Sequence, residues 1–165
     1  PPSFSETDLK HILESKGAEG SDEAARRLQS MLSAFRESWA WEGVQQATEV
    51  YTEYEFAHVT PSDTSSETTG ELAEPPETIR RGSIDLLYRH EGTWTLIDFK
   101  SDRVGSSAGA SDAAVDAALE AALGANHPYR EQLRAYRAAW KDLSGEPIAS
   151  SWLWFADANA FVPVD

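Results

Sequence analysis

Apolar positions change their spacing several times along this chain, and each change marks an element. Ser5 and Asp8 stand at capping-box spacing, so a short helix is predicted over Ser5–Glu14, with His11 beside Ile12 and Leu13. Gly17 and Gly20 interrupt it. Ser21 then caps a second helix in which Leu28, Met31, Leu32, Phe35 and Trp39 recur at helical spacing, with a further turn or two around Trp41–Ala47. From Glu49 to Val59 the period drops to two: Val50, Tyr54 and Phe56 fall on one side, Tyr51, Glu53 and Glu55 on the other. That is a strand pattern. Thr60–Thr78 is rich in Ser, Thr, Glu and Pro without any period, which predicts a solvated or disordered insertion.

The stretch from Arg81 to Lys100 carries two apolar runs separated by Glu91-Gly92, the pattern of two strands joined by a tight turn. Ser101–Gly109 reads as loop and Asp112–Leu123 as an Ala-rich helix, so a second insertion is predicted near 101–126. Asn126 and Pro128 open a stronger helix that carries Tyr129, Gln132, Leu133, Tyr136 and Trp140 and stops at Ser144-Gly145-Glu146-Pro147. Ile148–Phe155 is a last strand, extended or joined by another at Phe161–Val164. The predicted class is α/β, in the α+β sense of a mixed sheet with helices packed against it. One domain is expected, with N-terminal helices over 1–48 and a core over 49–165.

Within the hairpin, Asp98 and Lys100 project from the same face of one strand. A two-residue loop at Glu91-Gly92 places Asp85 directly opposite Asp98, with Cβ atoms roughly 4.5–5.5 Å apart. Both acids are framed by large apolar residues, in Ile84-Asp85-Leu86-Leu87 and Leu96-Ile97-Asp98-Phe99. Two enclosed carboxylates repel each other unless a divalent cation lies between them. A surface hairpin with an ordinary salt bridge is the plainer alternative, but enclosure of both acids favours a metal site.

Charge changes the picture. The formal net charge is −14, from 28 Asp and Glu against 14 Lys and Arg, whereas nucleic-acid binders usually carry a basic footprint. Only four of the basic residues are Lys, and an acidic, Lys-poor surface suits a cytoplasm of high salt. A strand-binding role then rests on local site residues and on neighbouring domains; an acidic protein that never meets nucleic acid is the alternative. With no Cys, disulfides, iron–sulfur clusters and thiolate zinc sites are excluded. No apolar run approaches the roughly 18–20 residues needed to span a bilayer, so no membrane role is expected. The chain opens Pro-Pro without Met, as a piece of a longer protein would.

Gln132 and Tyr136, four apart, share a helix face that either orients a substrate phosphate or is the exposed side of an amphipathic helix. A lone His such as His11 is more often packed than ligating.

Three motifs in order, Gly82-Ser83-Ile84-Asp85, Trp94-Thr95-Leu96-Ile97-Asp98-Phe99-Lys100-Ser101-Asp102 and Tyr129-Arg130-Glu131-Gln132-Leu133-Arg134-Ala135-Tyr136, resemble the RecB/AddA-type nuclease domain of the PD-(D/E)XK superfamily. Glu53-Tyr54-Glu55-Phe56 is similar to that family's preceding Glu-x-Pro-Phe strand, with Glu55 in place of Pro. The resemblance implies a restriction-endonuclease-like core and Mg2+ or Mn2+ as cofactor. It implies Asp85, Asp98 and the Phe99 carbonyl as metal ligands, with His11 on the early helix completing the sphere. Lys100 would act on the attacking water, and Gln132 and Tyr136 would shape the DNA side. It further implies an exodeoxyribonuclease acting on single-stranded or unwound DNA ends in double-strand-break repair and recombination. The partner would be a helicase domain of the same longer chain or of another subunit, in the nucleoid-associated cytoplasm. No Gly-x-x-x-x-Gly-Lys-Ser/Thr loop occurs here, so the motor lies elsewhere. A degenerate nuclease fold kept for DNA binding or protein docking is the alternative of another class.

Overall fold

A computed structural model describes residues 5–17, 21–61, 77–101, 123, 124 and 127–164. Three helices come first: α1 (Glu6–Ser15), α2 (Ser21–Arg36) and α3 (Trp39–Gln45). The strands β1 (Glu49–Pro61), β2 (Glu77–His90) and β3 (Thr93–Lys100) follow, then α4 (Pro128–Ser144), β4 (Ile148–Phe155) and β5 (Ala160–Pro163). The five strands form one sheet in the order β1-β2-β3-β4-β5, antiparallel throughout except for the parallel pair β3 and β4. A parallel pair needs a long crossover, and α4 lies within it. This is a mixed α/β architecture with a five-stranded sheet flanked by helices, as a restriction-endonuclease-like core requires. Among the described residues no helix is long and apolar enough to cross a membrane.

Two apolar layers sandwich the sheet. Between α4 and the sheet Ile84, Leu87, Trp94 and Leu96 pack with Leu133 and Trp140 of the helix; on the other face Leu86, Tyr88, Ile97 and Trp154 pack with Phe35 of α2 and Ala40 of α3. The central strand β3 is therefore covered on both faces, which explains its nearly continuous apolar run.

The expected hairpin forms. Glu91 and Gly92 have φ of 49° and 78°, the left-handed pair of a type I′ turn, and the ladder runs from His90–Thr93 to Leu86–Ile97. It stops one pair short of Asp85 and Asp98.

Several expectations need correction. Tyr51 was expected on the opposite face from Tyr54 and Phe56, yet Tyr51 and Tyr54 both pack on Trp140, with centroids 5.8 and 5.6 Å away, and Phe56 packs on Tyr136 of the same helix. Glu53, at φ 49°, breaks the alternation of β1. β2 slips with it at Asp85, because Ile84 and Leu87 share one core layer while the pairing register stays the same on either side. Trp39 does not belong to the second helix. α2 ends at Arg36, and the Ser38 hydroxyl donates to the Phe35 carbonyl (2.6 Å) while accepting from the Trp41 amide (3.4 Å), which starts α3. α4 is capped by His127, whose Nδ1 accepts from the Tyr129 amide at 3.3 Å, while Asn126 lies outside the described residues. The first predicted insertion is shorter than 60–78, since β1 reaches Pro61 and β2 begins at Glu77. The rest of it, the predicted loop from residue 102 onward and the Ala-rich helix before Leu123 lie outside the described residues.

Candidate active site

At the carboxyl end of β3 the chain leaves the sheet, and there the polar side chains converge. Asp98 is 3% exposed, held among apolar neighbours by the coverage of both sheet faces. Two residues on, Lys100 Nζ lies 2.6 Å from Asp98 Oδ2. This ion pair is shielded from solvent, and no other group donates to that buried oxygen among the described residues. Lys100 Nζ also donates to Gln132 Oε1 at 2.9 Å, and Gln132 Nε2 donates to Tyr136 Oη at 2.7 Å. One turn earlier on α4, the Tyr129 ring sits under the ammonium at 4.1 Å, a cation–π contact.

Asp85 reaches the same place from β2. Where the hairpin ladder ends, its Oδ2 accepts the Phe99 amide at 2.7 Å, so a carboxylate replaces the next rung. Electrostatics couple these groups. Burial pushes the Asp98 carboxyl above the usual carboxylate range; Lys100 pulls it back and the charge of Asp85 pushes it further up. Burial likewise raises the Tyr136 phenol. The Gln132 hydrogen bond opposes that rise, while the charges of Asp98 and Asp85 add to it.

Six of the seven residues singled out from sequence thus meet at one end of the sheet: Asp85, Asp98, Phe99, Lys100, Gln132 and Tyr136. His11 does not join them. It is exposed on α1, and among the described residues no group of three or more His, Asp or Glu side chains gathers at one point. Tyr129 was not picked out by sequence reasoning, although its place one turn before Gln132 could have signalled it. Glu53 sits opposite Asp85 in register and shares a small surface cavity with it and Phe99.

The donor set fits a hard divalent cation. Two carboxylates converge, one of them buried against Lys100, and oxygen-rich sites suit Mg2+ or Mn2+ rather than Zn2+. A cavity of about 520 Å3, lined by Phe35, Trp41, Leu86 and Phe99, opens against Asp85 and Lys100 on the α2–α3 side.

No match was found among curated proteins. A model of the PD-(D/E)XK nuclease superfamily matches residues 4–162, a span that contains every residue of this constellation. Proteins of that superfamily are mostly nucleases and generally use divalent metals. With nearly the whole chain matched and its acids and lysine at one sheet end, this chain belongs to the PD-(D/E)XK nuclease superfamily.

Proposed function

We propose that this chain hydrolyses phosphodiester bonds of DNA, with Mg2+ or Mn2+ held by Asp85, Asp98 and the Phe99 carbonyl. The observation that carries this reading is the buried Asp98 carboxylate beside the second carboxylate of Asp85, with its partner Lys100 tied to α4. When bound, the divalent cation supplies positive charge that polarises the scissile phosphoryl group. Lys100, fixed between Asp98 and Gln132, orients the attacking water. The water oxygen bonds to phosphorus and gives up a proton, the P–O ester bond breaks with its electron pair on the leaving oxygen, and that oxygen takes up a proton in turn, so that H and OH are added across the bond. Gln132 holds the ammonium in position, and Tyr136 holds Gln132.

The motif order supports the RecB/AddA branch, in which this single domain serves as the exonuclease of a helicase–nuclease acting on unwound DNA ends during recombinational repair. A motor elsewhere in a longer chain, or in a partner subunit, feeds it the strand. His11 would complete the metal sphere only if α1 approaches Asp85 and Asp98; a His11→Ala variant that binds Mn2+ like the wild type removes it from the ligand set.

The test is cleavage of labelled single-stranded DNA with Mg2+ or Mn2+, wild type against Lys100→Ala. The variant should cut about 100–10,000-fold more slowly. Equal rates would remove Lys100 from the chemistry. A wild type that neither cuts nor is stabilised by either metal would favour the degenerate, docking-module alternative.

A further inference from the structure

Lys100 is held from three directions, and only two of them are polar. Its Nζ lies 2.6 Å from Asp98 Oδ2 on its own strand and 2.9 Å from Gln132 Oε1 on α4. The third neighbour is the face of the Tyr129 ring, whose centroid is 4.1 Å from the same nitrogen. A lysine ammonium is a compact charge on a flexible stem, so two polar contacts leave the head free to swing about the line joining them. A ring face beneath it removes that freedom.

The position of the ammonium makes the ring matter. Tyr129 and Gln132 are the second and fifth residues of α4, and the positive end of a helix repels a cation held near its first turn. The ring turns the negative face of its quadrupole to Lys100 and offsets that repulsion, without adding an acid to a site that already holds two. The ring is itself braced. His127 caps α4 through the Tyr129 amide, and its imidazole packs on the Tyr129 ring with centroids 4.7 Å apart. Phe155 lies 6.5 Å from the ring on another side and stands beside Lys100 in the parallel register of β3 and β4. Helix cap and strand thus both fix the ring against the lysine.

We propose that Tyr129 is a positioning residue for the nuclease reaction: the face of its ring, and not its hydroxyl, holds the Lys100 ammonium where the attacking water is oriented. The proposal rests on the nuclease reading of the site. Tyr129 acts through Lys100, so its loss should lower kcat and spare KM.

The chain has only four lysines, so their side chains can be read one by one. NMR of lysine-labelled, metal-free protein records the ε-methylene signals, with Lys100 assigned from Lys100→Ala. Protons over a ring face are shielded. Lys100 should therefore lie upfield of Lys10, Lys16 and Lys141 in wild type and in Tyr129→Phe, and rejoin them in Tyr129→Leu. Cleavage of labelled single-stranded DNA with Mn2+ is then followed in the same proteins. Tyr129→Leu should lose about 3–30-fold in kcat, the worth of a cation–π contact, with KM within about twofold. Tyr129→Phe should recover most of that loss. A ring-fluorinated phenylalanine at the same position, alike in shape but poorer in ring charge, should lose it again, and it decides the matter even where Tyr129→Leu unfolds. An unshifted Lys100 signal in wild type would overturn the proposal. So would plain and fluorinated phenylalanine variants that cut alike, which would reduce Tyr129 to packing and leave the nuclease reading standing. A shifted Lys100 signal in a wild type that never cuts would instead overturn the nuclease reading, and the role of Tyr129 with it.

Discussion

Asp98 sets the energetics of the site because its charge is buried before any metal arrives. Its pKa is raised by burial, with Lys100 opposing and Asp85 adding. A carboxyl whose folded pKa is raised stabilises the fold fully below the unfolded value of 3.8, and that contribution is lost as pH climbs through the higher folded value. Asp98→Asn keeps the shape and removes the charge. In metal-free buffer near pH 7 the variant should therefore be the more stable protein, by the relief of the buried charge less the cost of losing its pair with Lys100. It should also lack the wild type's loss of stability above pH 3.8, and neither bind Mn2+ nor cut DNA. Urea midpoints of both proteins across pH test this, and a variant less stable than wild type at neutral pH would contradict it. Gly82 sets a steric condition at the same scale. A methyl group there meets the Phe56 and Tyr136 rings at 2.8 Å, so Gly82→Ala should cost about 1–3 kcal/mol. Because Tyr136 holds Gln132 and Gln132 holds Lys100, cleavage should fall by more than the folded fraction does, as activity and circular dichroism on the same samples would show.

At the scale of elements, the hairpin of β2 and β3 was the most legible part of the chain. Two apolar runs around Glu91-Gly92 were enough to predict its turn and register, and with them the approach of Asp85 to Asp98. The Gln132–Tyr136 face of α4 was legible from spacing, because a helix brings i and i+4 together whatever else packs on it. What the pattern hid was the slip of alternation at Glu53 and Asp85. A left-handed residue is usually announced by Gly or Asn, and Glu53 announces nothing. The slip lets Asp85 leave the ladder and take the Phe99 amide with its side chain, a contact no periodicity encodes. The placement of His11 was equally hidden, since nothing in the α1 sequence says which way that helix packs. The turn itself offers a prediction. Glu91 sits at φ 49°, where an L-residue other than Asn or Asp is strained by about 1 kcal/mol. Glu91→Asn should raise Tm by about 2–3 °C and leave cleavage unchanged, because the turn lies at the far end of the hairpin from Asp85 and Asp98. Thermal melts and initial rates of the two proteins would check it, and an unchanged Tm would mean that the turn carries no such strain.

For the whole molecule, the charge balance and the site pull in opposite directions as salt changes. Excess acid, 28 Asp and Glu against 14 Lys and Arg, makes the folded chain repel itself. Raising KCl from about 0.1 M to 1 M shortens the Debye length from about 10 Å to 3 Å, which weakens that repulsion and should raise Tm by several degrees. The pairs that are exposed, such as Lys10–Asp22 and Arg26–Glu6, are too few and too weakly stabilising to reverse the sign. The same salt lowers affinity for a single strand, because each phosphate held by a cation contributes about 0.7 to the slope of log K against log salt. With so few cations near the candidate site, the slope should be shallow, about −1 to −2. A strongly basic binder would lose far more over the same range. The acidic surface and the small local set of cations therefore make one joint prediction: stability rises with KCl while DNA binding declines only gently. Melting curves and anisotropy titrations in the same KCl series decide it. A slope as steep as −5 would mean that phosphates contact many more cations than this site holds, and a Tm that falls with salt would mean that the acidic surface is held by ion pairs rather than strained by repulsion.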